Sequence, residues 1–280
     1  MTPHKPNFSR PALYLPLSLE SWLKHWYPWI VEFLGLSSKK DLDCIKNFTE
    51  LILKGDYITY PILNLSNLIN KCPVIIFGCG PSLENDLGIM QEKKHLFNNP
   101  VLIAADGATR PLLDNGFLPD IIVTDADGDQ QSIISANAQK SIVICHIHGD
   151  NQKALSKLVP QLNLSLTIFT IQTEPTSRFK NFLGFTDGDR AAFIAAQFNC
   201  QAICLLGFDL GEYIGKYSKP SFKTCQRASS FKRRKLIIAR ELLSWLATQT
   251  LIPIINCSSR SEPISLVKAI PLHTLNYFPP

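Results

Sequence analysis

Seven short apolar runs follow one another along the chain from Lys71 onward, separated by Gly, Asp and Pro residues. Each run is four to six residues long, rich in β-branched residues and continuous rather than alternating with polar positions. This pattern is typical of parallel strands that are covered on both faces of a sheet. The predicted strands are Val74–Phe77, Val101–Ala105, Ile121–Thr124, Ile142–Cys145, Leu166–Ile171, Ala202–Leu206 and Ile252–Asn256.

Segments with helical spacing lie between these runs. They are Leu83–Phe97, Gln130–Gln139, Gln152–Val159, Asp189–Phe198 and Phe231–Thr250. The alternation of strands and helices predicts an α/β fold with a doubly wound, mostly parallel, Rossmann-like sheet. We place this domain at residues 71–280, including a basic C-terminal helix. Ligands of such folds bind beyond the carboxyl ends of the strands, so the loops that follow the strands are the candidate sites.

Residues 1–70 lack a glycine-rich loop, and we predict an N-terminal helical region there. Its apolar positions recur every three or four residues, which is the spacing of one helix face. We interpret the aromatic stripe as core packing. Its members are Leu19, Trp22, Leu23, Trp26, Trp29, Ile30 and Phe33.

The composition predicts a soluble, folded protein. The chain has 280 residues, of which 45% are hydrophobic and 18% charged. No apolar run approaches the roughly 20 residues that a membrane span needs, and the start of the chain lacks the apolar core of a secretory signal. We therefore expect a cytoplasmic location and no membrane partner. The eight cysteines are scattered, so we expect reduced thiols rather than a disulfide framework or a zinc site.

The charge is unevenly placed. The net charge is +5, yet the segment from Lys216 to Arg240 holds nine basic residues and no acidic one. The rest of the chain is net acidic. A basic strip of this kind can meet a nucleic acid, a membrane surface or a small polyanion such as a triphosphate, or it can be a solvated helix face.

A glycine turn follows the first predicted strand, with the sequence Gly78-Cys79-Gly80-Pro81-Ser82. A glycine turn that opens a helix presents backbone N–H groups and the positive end of the helix dipole, which suits a phosphate. Ser82 can equally serve only as a helix cap. The third glycine of the dinucleotide-binding pattern is missing, which disfavours a dehydrogenase.

Acidic residues follow the next two strands. Asp106 and Gly107 end the second strand, where an acid can hold a ribose hydroxyl of NAD or of another nucleotide. Asp125 and Asp127 follow the third strand, and residues i and i+2 of an extended chain point the same way. Two converging carboxylates call for a cation, and Mg²⁺ is the expected one. A simple turn at Asp127-Gly128 is the alternative.

Polar residues also end the fourth and sixth strands. His146 and His148 are two residues apart, and Asp150 or Asn151 can cap the following helix. We expect His148 to bond a substrate or a metal-bound water rather than to ligate a metal. Asp209 adds an acid after the sixth strand.

A further loop, Thr186-Asp187-Gly188-Asp189-Arg190, precedes an alanine-rich helix. Thr186 or Asp187 can cap this helix. Arginine is electrostatically unfavourable in a first helical turn, so Arg190 indicates an anion there, and its planar fork matches phosphate oxygens.

The ordered set of these loops, from the glycine turn to Gly215-Lys216-Tyr217-Ser218, resembles the archaeal-type 6-hydroxymethyl-7,8-dihydropterin pyrophosphokinases, also called MptE-like. The Asp-Gly and Asp-x-Asp loops are also similar to those of thiamin pyrophosphokinases. The resemblance implies transfer of the β,γ-diphosphate of ATP to the pterin hydroxymethyl group, with AMP as product and Mg²⁺ required, in folate or methanopterin synthesis.

The chemistry of the residues agrees with this reaction, because diphosphate transfer needs positioning and charge neutralisation more than covalent help. We assign Asp125 and Asp127 to Mg²⁺ and Asp106 to a further metal or ribose contact. Arg190 and Lys216 are assigned to the phosphates. Asp187 or Asp189 is expected to orient the attacking hydroxyl. The pterin edge is left to Asp150, Asn151 and Asp209, and the glycine turn from Gly78 to Ser82, together with Gly107, is assigned to the nucleotide.

Several other functions stay open at this stage. A thiamin-type pyrophosphokinase would use the same loops on another alcohol. An NAD-dependent oxidoreductase would leave the clustered acids unexplained. A non-catalytic nucleic-acid binder would use the basic strip with aromatic stacking partners, and we expect no such partner. Sugar-transfer proteins share part of the glycine pattern but not the His-Gly-Asp-Asn loop. The sequence does not decide whether the chain forms a homo-oligomer.

Overall fold

A computed structural model describes residues 9–53, 61–93, 95 and 99–275 of the protein. Ten strands occur in this part of the chain: β1 Pro73–Phe77, β2 Val101–Ala105, β3 Ile121–Thr124, β4 Ile142–His146, β5 Thr167–Thr170, β6 Ala202–Leu206, β7 Tyr213–Ile214, β8 Gln226–Arg227, β9 Ile254–Asn256 and β10 Lys268–Ala269. Strands β7 and β8 form a small antiparallel pair. The other eight form one sheet in the order β10-β9-β6-β1-β2-β3-β4-β5, and every pair in it is parallel.

The helices described are α1 Leu19–Ser21, α2 Tyr27–Leu34, α3 Ser38–Leu53, α4 Pro61–Ile69, α5 Leu83–Glu92, α6 Thr109–Asp114, α7 Gln130–Ala138, α8 Gln152–Leu158, α9 Asp187–Gln197 and α10 Ser230–Gln249. A π-helical turn, Trp22–Trp26, joins α1 to α2. Helix α5 is shorter than predicted, and Phe97 lies outside the described residues. None of the described helices is both long and apolar enough to cross a membrane.

The sheet is buried on both faces, as the continuous apolar runs predict. Along β1, Val74 and Ile76 belong to one hydrophobic cluster, whereas Ile75 and Phe77 belong to the other. Such alternation between two covered faces is the property of a doubly wound sheet. The predicted α/β, Rossmann-like fold class is confirmed.

The aromatic residues near the N-terminus pack into the first of these clusters. Trp22 and Trp26 are fully buried, and the Trp26 ring stacks on Trp245 of α10 with centroids 5.0 Å apart. The N-terminal helices therefore share a core with the sheet. The prediction that the stripe is core packing is confirmed, while the domain boundary at residue 70 stays a prediction.

The strand order places a switch point between β1 and β6. The chain runs from β1 outward to β5 and then returns to β6 on the other side of β1. Connections leave these two neighbouring strands in opposite directions, which opens a crevice at their carboxyl ends. The glycine turn after β1 and Asp209 after β6 both lie at this crevice.

Candidate active site

Two cavities open at the carboxyl ends of the strands. The first, of about 140 Å³, is lined by His146 and His148, and we call it the histidine cavity. The second, of about 110 Å³, is lined by Gly78, Gly80 and Gly107, and we call it the glycine cavity. Four residues line both cavities, and we call them the junction: Asp127, Thr186, Asp187 and Lys232. The two cavities thus form adjoining parts of one site.

Three carboxylates come together beside the junction. Each of Asp106, Asp125 and Asp187 offers an oxygen that lies within 4.8 Å of the other two. Burial and the neighbouring carboxylates raise the pKa values of Asp106 and Asp187 well above the ordinary value. A hard divalent cation such as Mg²⁺ prefers oxygen ligands and would relieve this repulsion. The carboxylate trio therefore fits a magnesium ion.

Asp125 differs from its two neighbours. Burial favours its protonated form, but a hydrogen bond with His148 and the positive charge of Lys235 outweigh burial and hold its pKa below the usual range. His148 Nε2 lies 3.4 Å from Asp125 Oδ2. Asp125 is therefore the member of the trio that remains ionised, which suits a metal ligand.

Asp127 is not one of the three carboxylates that lie within 4.8 Å of one another, although the sequence pairs it with Asp125 and its side chain contacts Asp106. The extended alternation that would align the two carboxylates is broken at Ala126, whose φ is +68°. The Asp127 carboxylate instead forms an ion pair with Lys219 at the junction. Asp187, at the start of α9, takes the third place in the cluster. The structure thus groups Asp187 with the predicted ligands Asp106 and Asp125.

Asp106 is held in an unusual conformation. Its φ is +43°, in the left-handed region that non-glycine residues seldom occupy. The Thr124 hydroxyl donates a hydrogen bond to its carboxylate. The next residue, Gly107, packs against the backbone of Tyr217 so closely that a Cβ at residue 107 would lie 2.0 Å from the Tyr217 carbonyl oxygen. Such strain is typical of functional sites, where the surrounding structure must hold it.

Three N–H groups of the glycine turn are already bonded within the protein. Gly78 N–H donates to Leu206, Gly80 N–H donates to Gly207, and Ser82 N–H donates to Asp209 Oδ2 at 3.2 Å. A carboxylate of the protein itself thus lies at the start of α5, where the sequence predicts a phosphate. Pro81 lies in the turn before this helix. The structure therefore gives the glycines a packing role along the cavity wall: a Cβ at residue 80 would lie 1.9 Å from Asp209 Oδ2.

Asp209, a predicted substrate ligand, is buried beneath the glycine turn. Ser82 Oγ lies 2.8 Å from Asp209 Oδ2 and 2.8 Å from Asp86 Oδ2. One hydroxyl proton cannot serve both contacts, so a carboxyl proton must complete the network when both contacts are made. Burial raises the pKa of Asp209 to about 6, which makes it the natural holder of that proton.

The polar residues of the loop after β4 lie in two different places, in the wall of the histidine cavity and in the protein interior. His148 and Asp150 line the histidine cavity. Asn151 is buried instead, where its side chain donates to the carbonyl oxygens of Asp125, at 2.9 Å, and His146, at 2.7 Å. The structure does not place this amide in the cavity. Asn151 joins the loops after β3 and β4, which fixes the position of Asp125.

The start of α9 likewise separates its charged residues. Asp189 accepts hydrogen bonds from the backbone of Phe185, at 2.5 Å, and of Thr186, at 3.0 Å, and so forms part of a capping box. Arg190 is fully buried and donates to the carbonyl oxygens of Leu183 and Phe185. Neither Asp189 nor Arg190 lines the two cavities. Two backbone carbonyls and the charges of Asp187 and Asp189 surround the Arg190 guanidinium, while its buried Nε has no hydrogen-bond partner among the described residues. The phosphate contact assigned to Arg190 stays a prediction.

The basic strip contributes a different lysine from the one that the sequence favours. Lys216 forms an ion pair with Glu84, with 2.7 Å between Nζ and Oε1, and lines an open groove beside the site. Lys232, in the first turn of α10, lines both cavities. Within the described ranges, no carboxylate forms an ion pair with Lys232. Burial and the neighbouring Lys235 lower its pKa.

Sequence reasoning also missed two residues of the histidine cavity. Asp41, on α3, and Gln172, after β5, both line it and are bonded to each other. Asp41 occupies a polar position of an amphipathic helix, and Gln172 follows an ordinary strand. No local signal marks either residue.

Known proteins resemble this chain over most of its length. Residues 46–215 match the model of the family described as 6-hydroxymethylpterin diphosphokinase MptE-like. The 6-hydroxymethyl-7,8-dihydropterin pyrophosphokinase of Pyrococcus furiosus is 40% identical over 81% of this chain and 93% of its own length. The enzyme of that name from Methanocaldococcus jannaschii is 34% identical over 80% of this chain and 95% of its own.

Among solved structures, the MAf glycosyltransferase from Magnetospirillum magneticum AMB-1 superposes with a TM-score of 0.48 and 15% identity, over 76% of this chain and 38% of that one. The family match and the two relatives cover the glycine turn and all three carboxylates of the trio. On this evidence the chain belongs to the MptE-like family of 6-hydroxymethylpterin diphosphokinases.

Proposed function

We propose that this protein transfers the β,γ-diphosphate of ATP to the hydroxymethyl group of 6-hydroxymethyl-7,8-dihydropterin, giving AMP and the pterin diphosphate. One observation carries the proposal. Two adjoining cavities share a junction that includes Asp187 of the carboxylate trio, and a lysine reaches both of them. A site for joining two small molecules through a polyphosphate needs these features.

We assign ATP to the glycine cavity. This cavity lies at the switch point between β1 and β6, where doubly wound folds bind nucleotides. Its closely packed glycines let a flat ligand approach the backbone. The triphosphate then extends toward the junction, where Lys232 provides positive charge. A lysine in the first turn of a helix is unfavourable on its own, and a phosphate beside it removes that penalty.

The trio of Asp106, Asp125 and Asp187 would hold Mg²⁺ at this point. When bound, the ion neutralises charge on the phosphate oxygens as the diphosphate is transferred. His148 supports the trio, because its Nε2 lies beside Asp125, while the Asp150 N–H lies 3.5 Å from its Nδ1. The role of His148 is therefore to orient a metal ligand.

The pterin alcohol belongs in the histidine cavity, with its hydroxymethyl group toward the junction. The alcohol oxygen attacks the β-phosphorus, a new oxygen–phosphorus bond forms, and the bond from that phosphorus to the oxygen bridging to the α-phosphate breaks. AMP leaves with the bridging oxygen. Asp127 lines both cavities and is placed to accept the proton of the alcohol. Lys219, its present partner, is then free to turn to the phosphates.

Product analysis tests this function directly. Purified protein with ATP, Mg²⁺ and 6-hydroxymethyl-7,8-dihydropterin should release AMP and pterin diphosphate in equal amounts. ADP as the nucleotide product would contradict diphosphate transfer. Faster turnover with thiamin would move the protein to the thiamin-type alternative. Lys232→Ala should slow AMP release, because Lys232 lines both cavities. Arg233→Ala is the matched control and should not slow it, because Arg233 is exposed on the same helical turn and pairs with Glu212.

A further inference from the structure

The histidine cavity ends in a floor of three buried polar side chains from distant parts of the chain. His146 ends β4, Gln172 follows β5, and Asp41 belongs to α3. Their exposed fractions are 2%, 3% and 6%. Polar groups buried this deeply are normally fully hydrogen-bonded within the protein. Any that is not is a candidate for contact with a ligand.

Asp41 holds the floor together. Its carboxylate accepts hydrogen bonds from the Tyr27 hydroxyl at 2.6 Å, from Gln172 Nε2 at 2.6 Å and from Gly149 N–H at 2.7 Å. All three partners donate to this carboxylate, so both of its oxygens are acceptors. The bond from Nε2 also fixes the Gln172 amide, so that its oxygen is the atom turned away from Asp41.

His146 has a ring nitrogen without a partner. Its Nδ1 lies 3.2 Å from Thr170 Oγ1, whereas its buried Nε2 makes no hydrogen bond. Burial and the nearby charge of Arg190 lower the pKa of His146 well below its ordinary value, which keeps the ring neutral, while its contact with the Gln172 side chain acts in the opposite direction. Gln172 is thus a neighbour of the ring but makes no hydrogen bond with Nε2. A neutral imidazole nitrogen can serve a ligand as donor or acceptor. Its position in the cavity wall makes a bound molecule the missing partner.

The rest of the cavity suits a flat ring. Leu36, Phe185 and Phe231 supply apolar surface, and the junction acids Asp127 and Asp187 line the same cavity. The lining therefore combines apolar surface for a ring, buried polar atoms for its edge and acids for a reacting group.

We propose that His146 and Gln172, held by Asp41, recognise the amino-pyrimidinone edge of the acceptor heterocycle, and that α3 is therefore part of the acceptor site. This inference rests on the proposed function, since it takes the acceptor to be a pterin. The edge carries neighbouring N–H donors and a carbonyl acceptor, which the Gln172 amide oxygen and the His146 imidazole nitrogen can bond. The family match begins at residue 46, so it does not include Asp41.

Direct binding without nucleotide tests the inference separately from turnover. His146→Phe removes Nε2 and keeps a ring, and Asp41→Asn removes the charge that orients Gln172. Each variant should raise the Kd and the KM for 6-hydroxymethyl-7,8-dihydropterin at least tenfold and change the KM for ATP less than twofold. His25→Phe is the matched control, because His25 is exposed on the π-helical turn, and its Kd should stay within twofold of wild type.

A substrate analogue keeps the test decisive if the variants fold poorly. Wild-type protein should bind the 2-oxo analogue, in which the 2-amino group is replaced, at least tenfold more weakly than the pterin. Equal affinity for both, or unchanged pterin affinity in folded His146→Phe, would overturn the inference. Discriminating binding without AMP formation would instead refute diphosphate transfer and leave the recognition of the edge intact.

Discussion

Replacing Asp187 by Asn tests whether this residue binds a metal ion or has only a structural role. In the protein without metal, Asp187 lies within 4.8 Å of Asp106 and Asp125, measured between the nearest oxygens that could share an ion. Two unit charges at this distance repel by about 3 kcal/mol at an effective dielectric constant of about 20. Burial and the charges of Asp125 and Asp106 raise the pKa of Asp187, so protonation is favoured there and can relieve part of this repulsion. Asp187→Asn should therefore leave the free energy of unfolding unchanged or raise it by up to about 3 kcal/mol.

With Mg²⁺ present, we expect the wild-type protein to be more stable than Asp187→Asn. A ligand that binds only the folded state at about 100 times its Kd stabilises that state by about 2.7 kcal/mol. Wild-type protein should gain this stability with Mg²⁺, and Asp187→Asn should gain much less. AMP formation should fall by about two orders of magnitude or more in the variant, because charge on the transferring group is no longer neutralised.

Urea unfolding with EDTA and with Mg²⁺, together with AMP release, measures these quantities. Asp114→Asn is the control, because Asp114 is an exposed acid that pairs with Arg110 on the surface, and its loss should change stability by less than about 1 kcal/mol. If Asp187→Asn lowered stability without metal and kept the full response to Mg²⁺, the assignment of the trio would be wrong.

Three further expectations follow from the same contacts. Arg190→Lys should lower the free energy of unfolding by about 1–3 kcal/mol in denaturant titrations, because two buried carbonyls lose their donors, and should leave the KM for ATP within twofold; a raised KM would restore a phosphate role. Lys232→Ala should reduce kcat/KM for ATP at least tenfold, whereas Lys216→Ala should reduce it less than threefold, and the opposite order in steady-state assays would refute our choice of lysine. The pKa of Asp209, about 6, exceeds the unfolded value of about 3.9, so between these pH values the folded state binds one more proton than the unfolded state. The free energy of unfolding should therefore fall as pH rises through this window, by up to about 1.4 kcal/mol per pH unit. Asp209→Asn should remove this slope from unfolding curves measured across the window.

The sheet was predictable because its strands are continuous apolar runs that both layers of helices cover. The strands that the sequence did not predict lack such runs. Lys268–Ala269 is a two-residue edge strand with exposed side chains, and β7 and β8 are two residues each. Hydrogen bonding to a neighbour, rather than burial, defines these strands, and one-dimensional hydropathy does not record it.

The edge of the sheet that holds the site was predictable for a related reason, since the carboxyl ends of parallel strands converge. Which carboxylates face one another was not. Ala126 takes a left-handed conformation, which breaks the alternation between Asp125 and Asp127, and α9 brings Asp187 into the place that alternation would give to Asp127. The composition of the cluster therefore depends on a left-handed backbone at Ala126 and on the packing of α9, and the alanine gives no signal of that conformation.

The remaining site residues depend on contacts across long stretches of chain. The hydrogen bond between Asp41 and Gln172 joins residues separated by 131 positions. Lys232 reaches the cavities because α10 packs against α9 and α2, which places its first turn at the junction. Lys216 is closer in sequence to the end of β6, but its side chain pairs with Glu84. Distance along the chain favoured Lys216, whereas Lys232 is the lysine of the basic strip that lines both cavities. The packing of α10 on the sheet, which its buried Trp245 and Leu242 secure, decides which lysine enters them.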